Sequence, residues 1–139
     1  MRFHASCAAR DAYGVLLLGS SGSGKSDLLL RLLDRGFALV ADDQVEVEGG
    51  VASAPAALAG LVEVRGLGIL RLPHRASARL ALAVRLVPGE RLPAATAPDP
   101  LLGVPCVALD PWPASAPLRV SLALDCALGH AAQVAGAFA

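Results

Sequence analysis

The feature that most restricts what this chain can fold into is the run from Gly14 to Ser26, GVLLLGSSGSGKS. An apolar stretch, Val15 to Leu18, feeds a loop of glycine and serine that ends in Lys25-Ser26, and a helical pattern follows. Gly19, Gly24, Lys25 and Ser26 fill the spacing Gly-x4-Gly-Lys-Ser of a phosphate-binding P-loop. Such a loop needs a strand before it and a helix after it, which commits the chain to an α/β arrangement. Glycines let backbone N–H groups close around phosphate oxygens, and the new helix adds partial positive charge at its first turn. Lys25 brings a compact cation to the outer phosphates, and the Ser26 hydroxyl can ligate Mg2+. Lys25 is the only lysine beside eleven arginines. A slender ammonium fits a tight loop where a planar guanidinium does not.

The flanking segments say what else reaches that loop. Arg2 to Ala9 alternates as a strand, with Phe3, Ala5, Cys7 and Ala9 on one face and His4, Ser6 and Ala8 on the other. A turn at Asp11 to Gly14 pairs it with Val15 to Leu18 as a hairpin, which brings His4 near the phosphates. Lys25 to Arg35 reads as a helix with a Leu28, Leu29, Leu32, Leu33 stripe, closed by Gly36. Phe37 to Ala41 follows as a buried strand ending in Asp42-Asp43. Strand, helix and strand make a crossover, so this strand runs parallel to Val15–Leu18 and its carboxyl end emerges beside the loop. Adjacent carboxylates there can do metal and proton work. Successive strand residues point opposite ways, so the two are expected to differ in job.

Beyond this, Gln44 to Glu48 and Val51 to Ala54 read as a hairpin across Gly49-Gly50. Leu61 to Arg65 reads as a strand with Glu63 and Arg65 on one face, and Gly66-Leu67-Gly68 follows. Leu80 to Val87 alternates with Leu80, Leu82, Val84 and Leu86 on one face. Pro88 to Pro105 is the longest loop and a candidate substrate or lid segment. Val104 to Leu109 is a last strand, Asp110 to Pro113 a rigid turn, and Pro117 opens a final helix reaching about Ala135.

Composition excludes several classes. Twelve acidic and twelve basic residues leave no net charge, so no basic nucleic-acid surface is indicated. The chain is 55% hydrophobic, yet no uncharged apolar run reaches the ~18 to 20 residues of a membrane helix. The N-terminus lacks a signal-peptide core, so a cytoplasmic protein is expected. Residues 1–139 fit a single domain. Cys7, Cys106 and Cys126 are odd in number and lack CxxC spacing, which points to reduced structural thiols.

With these residues in view, the chain resembles the catalytic, C-terminal domain of the HPr kinase/phosphorylase family. The resemblance is carried by GSSGSGKSDLLLRLLDRGFALVADDQVEV (Gly19 to Val47), by EVRGLGIL (Glu63 to Leu70) and by His4, and extends to Leu72. It implies a P-loop fold akin to that of phosphoenolpyruvate carboxykinase, a mixed sheet with flanking helices. It also implies a bacterial serine kinase using ATP, or in some members pyrophosphate, with Mg2+. The acceptor would be a serine of HPr, a small carrier protein of the sugar phosphotransferase system. The same site would run backwards by phosphorolysis, in a homo-oligomer that is hexameric in the family.

The family's roles carry over by position. Gly19, Ser20, Ser21, Gly22, Ser23, Gly24, Lys25 and Ser26 match the triphosphate cradle, with Ser26 on Mg2+. Asp42 matches the aspartate that takes the serine proton, and Asp43 and Glu63 match metal-site residues. Arg65 matches the arginine that organises that site. His4 would orient Asp42 or bind phosphate, and Arg91, in GERLP, matches an arginine linked to the reverse reaction. The chain departs from the family pattern in beginning almost at the catalytic domain, as short variants do. It also carries Ala114-Ser115-Ala116 where longer members have Gly-Arg-Asn. Two other readings stand beside this one, a small-molecule kinase on the same core and a nucleotide-sensing module without transfer. The first would show a closed acceptor pocket. The second would tolerate Asp42→Asn.

Overall fold

The computed structural model describes residues 1–139. The first segment forms β1 (Arg2–Phe3) and β2 (Ala5–Arg10), interrupted at His4. After a turn at Asp11, β3 (Tyr13–Leu18) folds back on β2 with Ala5 opposite Leu18 and Arg10 opposite Tyr13. The P-loop leads into α1 (Lys25–Asp34), then β4 (Ala38–Ala41), β5 (Val45–Glu48) and β6 (Val51–Ser53). A separate hairpin, β7 (Leu61–Val64) with β8 (Gly68–Arg71), precedes β9 (Ala78–Arg85), β10 (Cys106–Ala108) and α2 (Ala116–Ala127).

The main sheet has the order β1-β5-β6-β9-β3-β2-β4, with β10 added parallel to β9. It is mixed: β3 is parallel to β9, and β2 runs antiparallel to both β3 and β4. The expected parallelism of β4 with β3 therefore holds in direction, but β2 lies between them. β4, at one end of this sheet, and β5, next to the other end, are joined by only Asp42, Asp43 and Gln44. So few residues span little distance, so the sheet must roll until its ends nearly meet. Asp42 and Asp43 occupy that seam.

Apolar residues fill both sides of the rolled sheet. Outside, Leu28, Leu29 and Leu32 of α1 and Val120 and Leu124 of α2 pack on Val15, Leu17, Leu82 and Val84. Each of these leucines is fully buried, a contribution of about 2 kcal/mol per side chain. Inside, Ala5, Cys7, Ala9, Leu16, Val40, Val45, Ala52 and Leu80 form a second core. Small alanines let the sheet curl tightly there. Burial pushes the Cys7 thiol up to about 12, and all three cysteines are free.

Three sequence expectations are corrected. Leu80 does not share a face with Leu82, because the β3–β9 register shifts between Gly14 and Val15, which sends Leu80 to the inner core. The Gly66–Leu70 stretch forms a turn and strand, β8, so Arg65 lies in the turn and not on the strand with Glu63. The last helix stops at Ala127, well short of Ala135. Gly129 takes a left-handed φ of 75°, and the His130 N–H closes back on the Asp125 carbonyl at 2.8 Å. That is the glycine-terminated helix end, the same signal that Gly36 gives for the first helix. No helix is long and apolar enough to cross a membrane.

Candidate active site

The phosphate loop hangs between the end of β3 and the start of α1. Gly24 caps α1 with φ 96° and no side-chain hydrogen bond, so the helix's first N–H groups stay open to the loop. Gly19 is fixed by contact: a Cβ there would lie 2.3 Å from Ser23 Oγ. That hydroxyl is buried and has no hydrogen-bond partner. Lys25 is nearly buried, and its Nζ donates to the carbonyls of Gly19 at 2.6 Å and Ser20 at 3.0 Å. The ammonium is thereby tied across the mouth of its own loop.

At the seam the two aspartates part company. Asp42 is 8% exposed, and its Oδ1 accepts the hydroxyls of Ser26 at 2.9 Å and Ser6 at 2.8 Å. Asp43 adopts a left-handed φ of 68°, which turns the chain from β4 into β5. Its carboxylate stands 3.3 Å from His4 Nδ1, with both side chains more than half exposed. The Asp43 N–H reaches Ser6 Oγ at 3.4 Å.

A cavity of about 710 Å³ opens beside the loop, a volume in the range of small-molecule sites. Lys25, Ser26, His4 and Asp43 line it together with Glu63 and Arg65 of the β7–β8 hairpin. Asp42 does not line it. Its Oδ1 is turned instead to the Ser26 and Ser6 hydroxyls. Glu63 and Arg65 form no ion pair with each other; each faces the cavity separately. Arg91 is exposed in the segment after β9 and is not among the cavity's lining residues. That segment is fastened to β10 by Gly89, where a Cβ would come within 2.6 Å of the Ala108 carbonyl.

The donor set suits a hard cation next to phosphates. Ser26 and Asp42 oxygens meet beside the loop and Asp43 and Glu63 line the adjoining cavity, but no three metal-ligating side chains come together. Mg2+ commonly takes only one or two carboxylates and completes its shell with water and phosphate oxygens. The uncapped helix, the orphaned Ser23 hydroxyl and the tied ammonium likewise suit an anion in the loop.

Two residues escaped the sequence reading. Ser6 braces Asp42 and Asp43, and its signal was a hydroxyl on the His4 face of a buried strand. Trp112 lines the cavity from a turn far along the chain, and nothing local to it announces that placement.

Residues 1–79 match the family model described as the HPr Serine kinase C-terminal domain. The HPr kinase/phosphorylase of Aromatoleum aromaticum is 42% identical over 114 residues, covering 66% of this chain and 36% of that protein. That of Clostridium tetani is 49% identical over 69 residues, or 45% of this chain and 23% of the relative. The chain thus spans between about a fifth and about a third of the length of the curated relatives it matches. The structure of the Hpr(Ser) kinase/phosphatase from Coxiella burnetii superposes with a TM-score of 0.73 at 28% identity, over 94% of this chain and 92% of that one.

Proposed function

The chain belongs to the HPr serine kinase C-terminal domain family, and from that membership and the cavity's geometry we propose that it is an ATP-dependent serine kinase acting on HPr. The observation that carries this is a histidine-paired carboxylate, Asp43, opening into the same cavity as the phosphate loop. We further propose the cytoplasm as its place of action, a homo-oligomer as its assembly, and phosphorolysis of the phosphoserine as the reverse reaction of the same site.

The roles follow the orientations. Lys25 and the open N–H groups of α1 hold the outer phosphates and stabilise charge as it shifts in transfer. Mg2+, when bound, would neutralise charge on those phosphate oxygens. Ser26 would hold it through its hydroxyl oxygen while donating its proton to Asp42, and Glu63 would face it from the hairpin. Asp43 is assigned the acceptor's proton, exchanging roles with Asp42. It is the aspartate with an open path to an incoming serine, and His4 fixes its carboxylate. In the reverse direction Asp43 would return that proton. A kinase base needs no raised pKa, because the hydroxyl is deprotonated late in a loose transition state.

Incubation with ATP, Mg2+ and the host's HPr, followed by mass spectrometry, is expected to find one phosphoserine. Lys25→Ala should lose nucleotide binding and transfer together. Asp43→Asn should keep binding and lose transfer by about 10²-fold or more, while Asp42→Asn should chiefly weaken Mg2+-dependent binding. Undiminished transfer by Asp43→Asn would remove the base assignment. ATP consumption with a metabolite, and none with HPr, would turn the reading to a small-molecule kinase.

A further inference from the structure

Trp112 is the only tryptophan of the chain, and its indole stands 62% exposed in the wall of the cavity. Tryptophans are highly buried on average, so an exposed ring inside a cavity is an unused contact face. The turn that carries the ring is not loosely held. Arg31 of α1 donates to the Pro113 carbonyl at 3.2 Å and to the Pro111 carbonyl. Asp27 steadies that guanidinium at 2.9 Å. The Trp112 backbone N–H donates to Asp110 Oδ1 at 3.0 Å, and prolines on both sides restrict the backbone. The ring edge lies against the phosphate loop, since a Cβ on Gly24 would meet Trp112 Cη2 at 3.2 Å. A flat apolar surface is thus clamped beside the end of the cradle, with Leu30 of α1 also in the wall.

Phosphates have no use for such a surface, but a nucleobase does. We propose that Trp112 is the platform on which the base of a nucleoside triphosphate stacks, and that it makes this chain prefer a nucleotide over pyrophosphate or another base-free polyphosphate as donor. The proposal rests on the reading of Gly19–Ser26 as the phosphate cradle. An aromatic platform is indifferent to base identity, so selection acts on the presence of a base.

The test is calorimetric affinity of the full chain, with Mg2+, for a non-hydrolysable ATP analogue and for tripolyphosphate. The wild type is expected to bind the analogue about tenfold tighter. Its tryptophan emission should change more with the analogue than with tripolyphosphate. Trp112→Ala should erase the difference by weakening the analogue alone, and Trp112→Phe should restore most of it. The proposal is overturned if the wild type binds both ligands equally, if Trp112→Ala keeps the difference, or if that variant weakens both alike. Equal binding of both leaves the cradle standing and removes only the platform. Failure of the wild type to bind either removes the cradle and the platform with it.

Discussion

Asp42 and Asp43 are neighbours in sequence and opposites in surroundings. One side chain is buried between two serine hydroxyls, and the other opens into the cavity beside His4. The Gly-x4-Gly-Lys-Ser run was legible because its chemistry is local. The division of labour between the aspartates was legible only as an alternation. Which one opens into the cavity goes with a single left-handed φ at Asp43, at the sharp seam between β4 and β5. Asparagine tolerates this φ at least as well as aspartate does, so Asp43→Asn tests chemistry without adding backbone strain. Cys7 offers a separate test of the inner core. The folded state keeps its thiol protonated up to about 12 against an ordinary 9.0. Its stabilising effect is therefore intact below the unfolded value and lost as pH rises from there towards the folded one. Stability should fall by up to about 1.4 kcal/mol per pH unit across that window. Denaturant unfolding at a series of alkaline pH values should show this slope, and Cys7→Ala should flatten it. An unchanged slope in the variant would mean that other groups cause the fall.

Among the elements, the β7–β8 hairpin stands apart. It carries Glu63 and Arg65 to the cavity, yet it forms its own two-stranded sheet. Val62 anchors it in the outer core, while Leu67 and Ile69 are among the most exposed apolar residues. Two-stranded hairpins are marginal by themselves. Amide hydrogen exchange across Leu61–Arg71 should therefore be faster than across β3 and β9, reporting local opening. Equal protection would show that the hairpin is part of the main cooperative unit. The sequence showed β7, whose alternation is plain, and hid β8, whose first residue is a glycine in a glycine-rich turn. It likewise hid the register shift beside Leu80, which depends on backbone geometry that side-chain patterning does not encode, whereas the early stop of α2 carried a signal in Gly129 of the kind read at Gly36.

At the scale of the whole molecule, the strand–loop–helix–strand beginning was readable because its periodicity is strong and its connections short. The rolling of the sheet was not, since it arises from pairings between distant segments, β6 and β3 with β9. Nor was the arrival of Trp112 at the phosphate loop, which depends on Arg31 reaching carbonyls some eighty residues further on. A fragment ending at Arg75 would contain the cradle, His4, both aspartates and Glu63, but would lack β9, the partner of β3. Circular dichroism should show no cooperative melt for it, whereas the full chain should melt in one; a sharp melt in the fragment would make β9 dispensable. The position of β3 between β2 and β9 also has a consequence for synthesis. The Gly19–Ser26 loop leaves the ribosome early and becomes organised late. Until Arg85 has cleared the exit tunnel, one edge of β3 is bare, open to the same strand of another nascent copy.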